Sequence, residues 1–251
     1  MIGEPPRSQG DLNFTLLGIP VRIHPLFWLV TAALGYAPNV GAAELLTWMV
    51  AVLLSILVHE LGHAGVMRAY GLQPWITLYG MGGLTSYDPS RSSGSKGTDT
   101  LGQILISLAG PAAGFLLAAV LAAGLLLAER GGYAGYLLFA NPFRLRPYVI
   151  GLANLRLGQF LNDLFFICTL WGLVNLLPIY PLDGGHISRE ILLRFFGRRG
   201  IRLSLMLSIV VAGLMAVYGI VKWHDWFLAL LFGYFAYSSY ATLQAYAGRD
   251  F

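Results

Sequence analysis

The sequence predicts an all-α polytopic membrane protein with about six transmembrane helices and a short membrane-associated β-hairpin after the second. Of its 251 residues, 57% are hydrophobic and only 11% are charged, and the mean hydropathy is +0.66. So few charges cannot cover a water-exposed surface, so lipid must surround much of the chain. Long apolar runs without alternation favour helices over a closed barrel, because backbone polar groups in lipid need partners within the protein.

Six stretches carry little or no charge and approach the roughly 20 residues that a helix needs to cross a bilayer. We interpret residues 1–24 as an N-terminal tail, residues 25–247 as one membrane-embedded core and residues 248–251 as a C-terminal tail. The six predicted spans are residues 25–43, 45–70, 101–128, 164–182, 203–221 and 226–247.

Basic residues indicate the orientation of these spans. With a cytoplasmic N-terminus, about two thirds of the Lys and Arg residues lie on the cytoplasmic side, where such residues are enriched. The basic segment 190–202 between two spans contributes most to this bias. We therefore expect an integral protein of a bacterial-type inner membrane with both termini in the cytoplasm.

The two long connections differ in character. Residues 75–87 place Trp, Ile, Thr, Leu and Tyr around three glycines, which predicts a β-hairpin. Residues 90–97 are rich in Ser and Gly and predict a flexible loop. Residues 129–163 mix aromatic residues, arginines and prolines, which indicates an interfacial segment and disfavours a seventh span.

Three neighbouring ionisable residues, His59, Glu60 and His63, lie well inside the second predicted span, and Arg68 lies near its end. His59 and His63 are four residues apart, so their imidazoles share one face of a helix and can bind one metal ion. Glu60 is placed to act on a water molecule as a general base. Ionisable groups inside a span are costly, which favours a functional role. The alternative, a polar cluster that binds neighbouring helices, requires no particular spacing.

A second motif follows the fourth predicted span, in residues 175–185 (NLLPIYPLDGG). A catalytic zinc ion usually has three protein ligands, and Asp183 is the candidate third ligand. Two prolines break the helix before Asp183, and two glycines after it permit close approach of other chain segments. Taken alone, this motif would be interpreted as a Pro/Gly loop with a surface aspartate.

Together the two motifs resemble those of the site-2 proteases, the intramembrane zinc metalloproteases of peptidase M50 type. That family combines an HExxH helix with a later NxxPxxPLDGG segment, and both are complete here. The resemblance implies one zinc ion per chain, bound by His59, His63 and Asp183. It also implies that Glu60 is the catalytic acid/base.

The resemblance further implies residues that shape the site or bind substrate, namely Gly82, Gly83, Asn175 and Pro178. Gly82 and Gly83 stand where the family has a strand pair that holds an extended substrate. The segment around Gly110 and Gly114 is similar to the start of the next family helix, but Gly114 replaces a common Asn. The alternative for these two glycines is a close helix-packing surface.

By this resemblance, the protein is a zinc-dependent intramembrane endopeptidase that cleaves transmembrane or membrane-proximal segments of other proteins. The alternative is a membrane metal-ion transporter with the same ligands, which would give Glu60 no special role. A catalytically inactive binder of membrane proteins is a further alternative. The expected partners are membrane-protein substrates and the lipid bilayer, with no nucleic acid and no nucleotide. The single cysteine, Cys168, is interpreted as a buried packing residue.

Overall fold

The computed structural model describes residues 4–88, 99–127 and 155–247. The chain divides into two compact units, which are described separately. The N-terminal unit comprises Glu4–Gly94 and Ala109–Leu173, and the C-terminal unit comprises Met1–Gly3, Ser95–Leu108 and Val174–Phe251. The predicted flexible loop and most of the predicted interfacial segment, residues 129–154, lie outside the described residues.

The described elements are four short strands and seven α-helices. The strands are β1 (Leu12–Leu16), β2 (Ile19–Ile23), β3 (Pro74–Tyr79) and β4 (Gly82–Tyr87). The helices are α1 (Pro25–Gly35), α2 (Ala42–Ala69), α3 (Thr100–Leu127), α4 (Leu155–Asn175), α5 (Asp183–Phe196), α6 (Arg199–Tyr218) and α7 (Trp226–Ala247), with a π-helical turn (Gly219–Trp223) between α6 and α7.

The strands form one sheet in the order β1-β2-β3-β4. The pairs β1–β2 and β3–β4 are antiparallel, and β2 and β3 are parallel. The predicted hairpin is present as β3–β4. Two further strands lie in the segment interpreted as an N-terminal tail. The two-residue turn between them, Leu17 and Gly18, has positive φ at both positions (51° and 77°). Asn-Gly is the usual sequence for such a turn, so Leu-Gly is hard to recognise from the sequence.

A buried arginine ties the N-terminal segment to the sheet. Arg22 on β2 is 8% exposed, and it forms ion pairs with Glu4 at 2.9 Å and Asp11 at 3.1 Å. Glu4 also accepts a hydrogen bond of 2.7 Å from Thr77 on β3. Burial acts to raise the pKa of Glu4, but hydrogen bonds from Thr77 and Trp75 and the charge of Arg22 leave that pKa lowered.

Each unit has its own apolar core. In the N-terminal unit, side chains of the sheet pack with those of α1 to α4, including Val21, Phe27, Ile76 and Leu78. Cys168 is part of this core and is 2% exposed, which confirms its interpretation as a packing residue. In the C-terminal unit, Ile179, Ala212, Phe232 and Phe235 form the buried cluster.

Four described segments are long and apolar enough to cross a membrane: Ala42–Ala69, Thr100–Gly124, Arg156–Asn175 and Arg199–Trp223. They support four of the six predicted spans. The predicted span 25–43 contains only the 11-residue α1, about 17 Å long, and Pro38 follows shortly after it. The predicted span 226–247 is the 22-residue α7, whose tyrosines and serines dilute its apolar character.

The fourth span also differs from its predicted bounds of 164–182. Helix α4 begins earlier, at Leu155, and ends at Asn175. Pro178 and Pro181 explain this end, since proline lacks the backbone donor and disfavours helical conformation in the residue before it. Asp183 therefore begins a new helix rather than ending a span.

Candidate metal centre

Helix α2 carries His59, Glu60 and His63 into the interior of the N-terminal unit. Their exposed fractions are 3%, 4% and 6%. The Nε2 atoms of His59 and His63 lie 3.2 Å apart, and the tautomers decide which ring donates. One turn of helix thus aims two imidazole nitrogens at the same small region, as predicted from their spacing.

Helix α3 packs closely on these nitrogens through a glycine. A Cβ atom at Gly110 would lie 2.2 Å from Nε2 of His63 and 2.7 Å from Nε2 of His59, so glycine alone fits there. Buried imidazole nitrogens that converge on one another fit a metal ion that prefers nitrogen ligands, such as zinc.

The glycines of this region have two different roles. Gly114 packs closely on α4, since a Cβ there would lie 3.2 Å from the carbonyl oxygen of Cys168, as the helix-packing alternative predicts. On α2, a Cβ at Gly62 would lie 2.3 Å from the carbonyl oxygen of Ala109, so α2 and α3 approach closely here. Gly110 instead faces the two imidazoles.

Strand β4 packs directly on the carboxylate of Glu60. The hydroxyl of Thr85 donates to Oε2 of Glu60 over 2.6 Å and lies 3.1 Å from its backbone oxygen. A Cβ at Gly83 would lie 2.3 Å from Oε1 of Glu60, so only glycine fits beside this carboxylate. The β-hairpin therefore fixes the position of the carboxylate from one side.

Gly83 is among the site residues predicted from the sequence, and Thr85 is not. The available signal was the period of two residues along a strand, which puts Gly83 and Thr85 on the same face of β4. Gly82 lies at positive φ (116°), and a Cβ there would lie 2.8 Å from the ring of Trp171. Gly82 thus shapes the contact of β4 with α4, while Gly83 contacts the carboxylate.

In the C-terminal unit, close packing explains the glycine pair of the second motif. Asp183 is the first residue of α5. A Cβ at Gly184 would lie 2.2 Å from the carbonyl oxygen of Leu176, and one at Gly185 would lie 2.5 Å from that of Ile179. The start of α5 can therefore pack against the loop that precedes it only if both positions are glycine.

Serines of α6 and α7 hold the same loop in place. The backbone N–H of Tyr180 donates to Oγ of Ser208 over 3.0 Å, and this Oγ lies 3.3 Å from the carbonyl oxygen of Pro178. The hydroxyl of Ser239 donates to the carbonyl oxygen of Tyr180 over 3.3 Å. Asn175 ends α4 and is 7% exposed. The motif residues are thus fixed within their own unit.

Comparison with known proteins identifies related chains. The model of "Peptidase family M50" matches residues 47–217, a region that includes both motifs. A zinc metalloprotease of Methanocaldococcus jannaschii is 26% identical over 212 residues, which are 83% of this chain and 53% of the relative. Rip3 of Mycobacterium tuberculosis is 30% identical over 200 residues, 72% of this chain and 43% of the relative. The chain spans about half the length of these curated relatives.

A solved structure has the same fold. The site-2 protease from Methanocaldococcus jannaschii superposes with a TM-score of 0.56 and 22% sequence identity. The superposition covers 93% of this chain and 95% of that chain. The arrangement of helices and small sheet described above is therefore shared with that protein.

The close contact of Gly110 with the two imidazoles generates a prediction. We expect Gly110→Ala to weaken zinc binding about tenfold or more, because the new methyl group displaces both imidazoles. Gly124→Ala is the control, since this glycine of the same helix has nothing within 4 Å of the Cβ position. Zinc per chain is measured by elemental analysis, followed by titration with a chelator. Equal zinc affinity in the two variants would contradict the role assigned to Gly110.

Proposed function

Because this chain belongs to peptidase family M50, the site-2 protease family, we propose that it is a zinc-dependent intramembrane endopeptidase. The observation that carries the proposal is the buried pair of imidazoles beside a carboxylate that β4 holds in place. The protein is an integral membrane protein with apolar helices long enough to span. The proposed substrates are transmembrane or membrane-proximal segments of other proteins.

We propose that His59, His63 and Asp183 bind one zinc ion. Two imidazoles and one carboxylate are a ligand set typical of catalytic zinc, and they leave a fourth position open. The three residues come from the two motifs inside the region matched by the family. When bound, zinc polarises the carbonyl group of the scissile peptide bond and favours attack on its carbon.

Glu60 acts as the general base and then as the general acid. Its carboxylate takes a proton from the attacking water molecule and passes it to the nitrogen of the leaving amine. Since Oε2 already accepts the hydroxyl of Thr85, Oε1 is the oxygen that we assign to proton transfer. Thr85 is a positioning residue, because it acts through Glu60.

A metal-ion transporter could use the same three ligands, but it would not require a fixed carboxylate beside them. The hydrogen bond between Thr85 and Glu60 and the membership in a peptidase family both favour the hydrolase. We further propose a bacterial-type inner membrane location with cytoplasmic termini, based on the bias of Lys and Arg.

The open edge of β4 is the proposed binding site for unwound substrate. Strand β3 lies between β2 and β4, so the described sheet has its open edges at β1 and β4. Of these two strands, β4 carries Gly83 and Thr85, which contact Glu60. An extended segment that adds to β4 would expose its backbone next to the carboxylate.

Replacement of the base tests the mechanism. We expect Glu60→Gln to retain zinc while cleavage falls by two to four orders of magnitude, about the contribution of general acid–base catalysis, because the amide cannot take the proton. The measurement compares cleavage of a transmembrane reporter by purified wild type and variant, with zinc content determined on the same samples. Cleavage near the wild-type rate would rule out the proposed role of Glu60.

Replacement of Thr85 tests the positioning of the base. We expect Thr85→Val to lower kcat about tenfold with little change in KM, because it removes a hydrogen bond to a charged group. Thr85→Ser should restore most of the rate, since it keeps the hydroxyl. Thr47→Val is the matched control, because the Thr47 hydroxyl donates within its own helix, to Ala43 over 2.8 Å. If Val and Ser at position 85 give the same kcat, the hydrogen bond does not position the base.

Proline substitution tests strand addition. We expect prolines at alternate positions of residues 84–87 in β4 to abolish cleavage while zinc stays bound, because proline cannot donate to an added strand. Prolines at residues 13–15 of β1, the opposite edge, serve as the control. Prolines in β3 would break the sheet itself, because β3 is paired on both sides. Uniform tolerance of proline across β4 would exclude substrate addition to this edge and leave the zinc chemistry unaffected.

A further inference from the structure

The corner between α5 and α6 concentrates positive charge. Arg194, Arg198, Arg199 and Arg202 are all exposed. Within the described parts of the chain, none of these four arginines forms an ion pair. Glu190 is the one acidic residue of the sequence between positions 184 and 224. Among the residues that the structure describes, these four charges therefore have no acidic partner.

Close packing at the corner also fixes the backbone from which these arginines extend. Gly197 turns the chain after α5 with a φ of 56°. A Cβ at Gly200 would lie 2.3 Å from the carbonyl oxygen of Leu192, so the first turn of α6 packs directly on α5. Arg194 in the last turn of α5 and Arg199 in the first turn of α6 are thus on two helix ends that cannot separate freely.

Aromatic side chains accompany these charges. Phe195 is 77% exposed and Phe196 is 55% exposed, and Ile191 is 42% exposed. Exposed aromatic rings among arginines are unfavourable in water but suit a bilayer boundary, where rings enter the acyl region and guanidinium groups reach phosphates. The adjoining segment Arg199–Trp223 is a candidate membrane span, so its first residues lie at such a boundary.

We propose that this α5–α6 corner is a binding site for anionic phospholipid. The four arginines bind the headgroup phosphate, for which the planar guanidinium supplies paired donors, and the two phenylalanines contact the acyl chains. The net negative charge of the lipid compensates arginines that form no ion pair within the described residues. The proposal does not depend on the proposed protease activity, since it rests on residues outside both motifs.

The site would have a structural consequence for α5. The helix begins at Asp183 and ends at Phe196, beside the proposed lipid site. Its 14 residues span about 20 Å. A lipid bound at one end of this short helix would therefore restrict the orientation of the residue at its other end.

Lipid retention by the full-length chain tests the proposal. Purified protein is titrated with phosphatidylglycerol or phosphatidylcholine of equal chain length, and bound lipids are counted by native mass spectrometry. We expect preferential retention of phosphatidylglycerol. R198Q/R199Q should weaken it about tenfold or more, since each arginine near an anionic surface contributes roughly fivefold. R7Q/K222Q removes the same number of exposed charges elsewhere and should change retention less than twofold.

Two further measurements distinguish a bound lipid from a bound free anion. F195S/F196S should also weaken retention, and soluble glycerol phosphate should not displace the lipid, because it lacks acyl chains. Displacement by glycerol phosphate, with no effect of F195S/F196S, would show an anion site and overturn the lipid assignment. Equal retention of the two lipids by wild type, or equal losses in the two charge variants, would also overturn it. The comparison of the two lipids on the wild-type protein tests the proposal even if a variant fails to fold.

Discussion

Two imidazoles and a carboxylate inside an apolar helix require polar partners, since an ionisable group without one is costly in a low-dielectric interior. Much of the N-terminal unit is arranged around this requirement. Helix α3 approaches α2 through small residues and leaves the imidazoles in contact with each other. Strand β4 brings a hydroxyl to Glu60 and places glycine where any side chain would collide with the carboxylate. The sheet is therefore part of the site rather than an appendage of the helices.

Glycine permits close packing in both units, but against different groups. At Gly110 the missing side chain lets α3 lie directly against the imidazole nitrogens of His59 and His63, where a Cβ would collide with both. At Gly184 and Gly185 the missing side chains let backbone meet backbone, which fixes the residue before them. The first contact limits where the two imidazoles can lie, and the second limits how Asp183 is oriented within its own unit.

Local sequence patterns predicted that His59 and His63 share one helix face, and they predicted the hairpin and four of the spans. Each of these features depends on residues that lie close together in the chain. The contact of Thr85 with Glu60 could not be predicted in this way, since it joins residues 25 positions apart in different elements. The N-terminal strands escaped notice because Leu17 is an unusual residue for their turn. The end of α4 was misplaced because apolar character continues past Asn175, whereas the following prolines end the helix.

The parallel pairing of β2 with β3 also limits how often the chain between these strands can cross the membrane. Neighbouring strands of one sheet lie on the same side of a bilayer. The chain between them must therefore either stay on that side or cross the bilayer an even number of times. If α2 crosses, residues 24–41 must make the opposite passage with a helix of only 11 residues and a short extended segment. The parallel pair β2–β3 and the 28-residue α2 together thus require a second crossing that is much shorter than α2. Hydropathy alone does not indicate this second crossing.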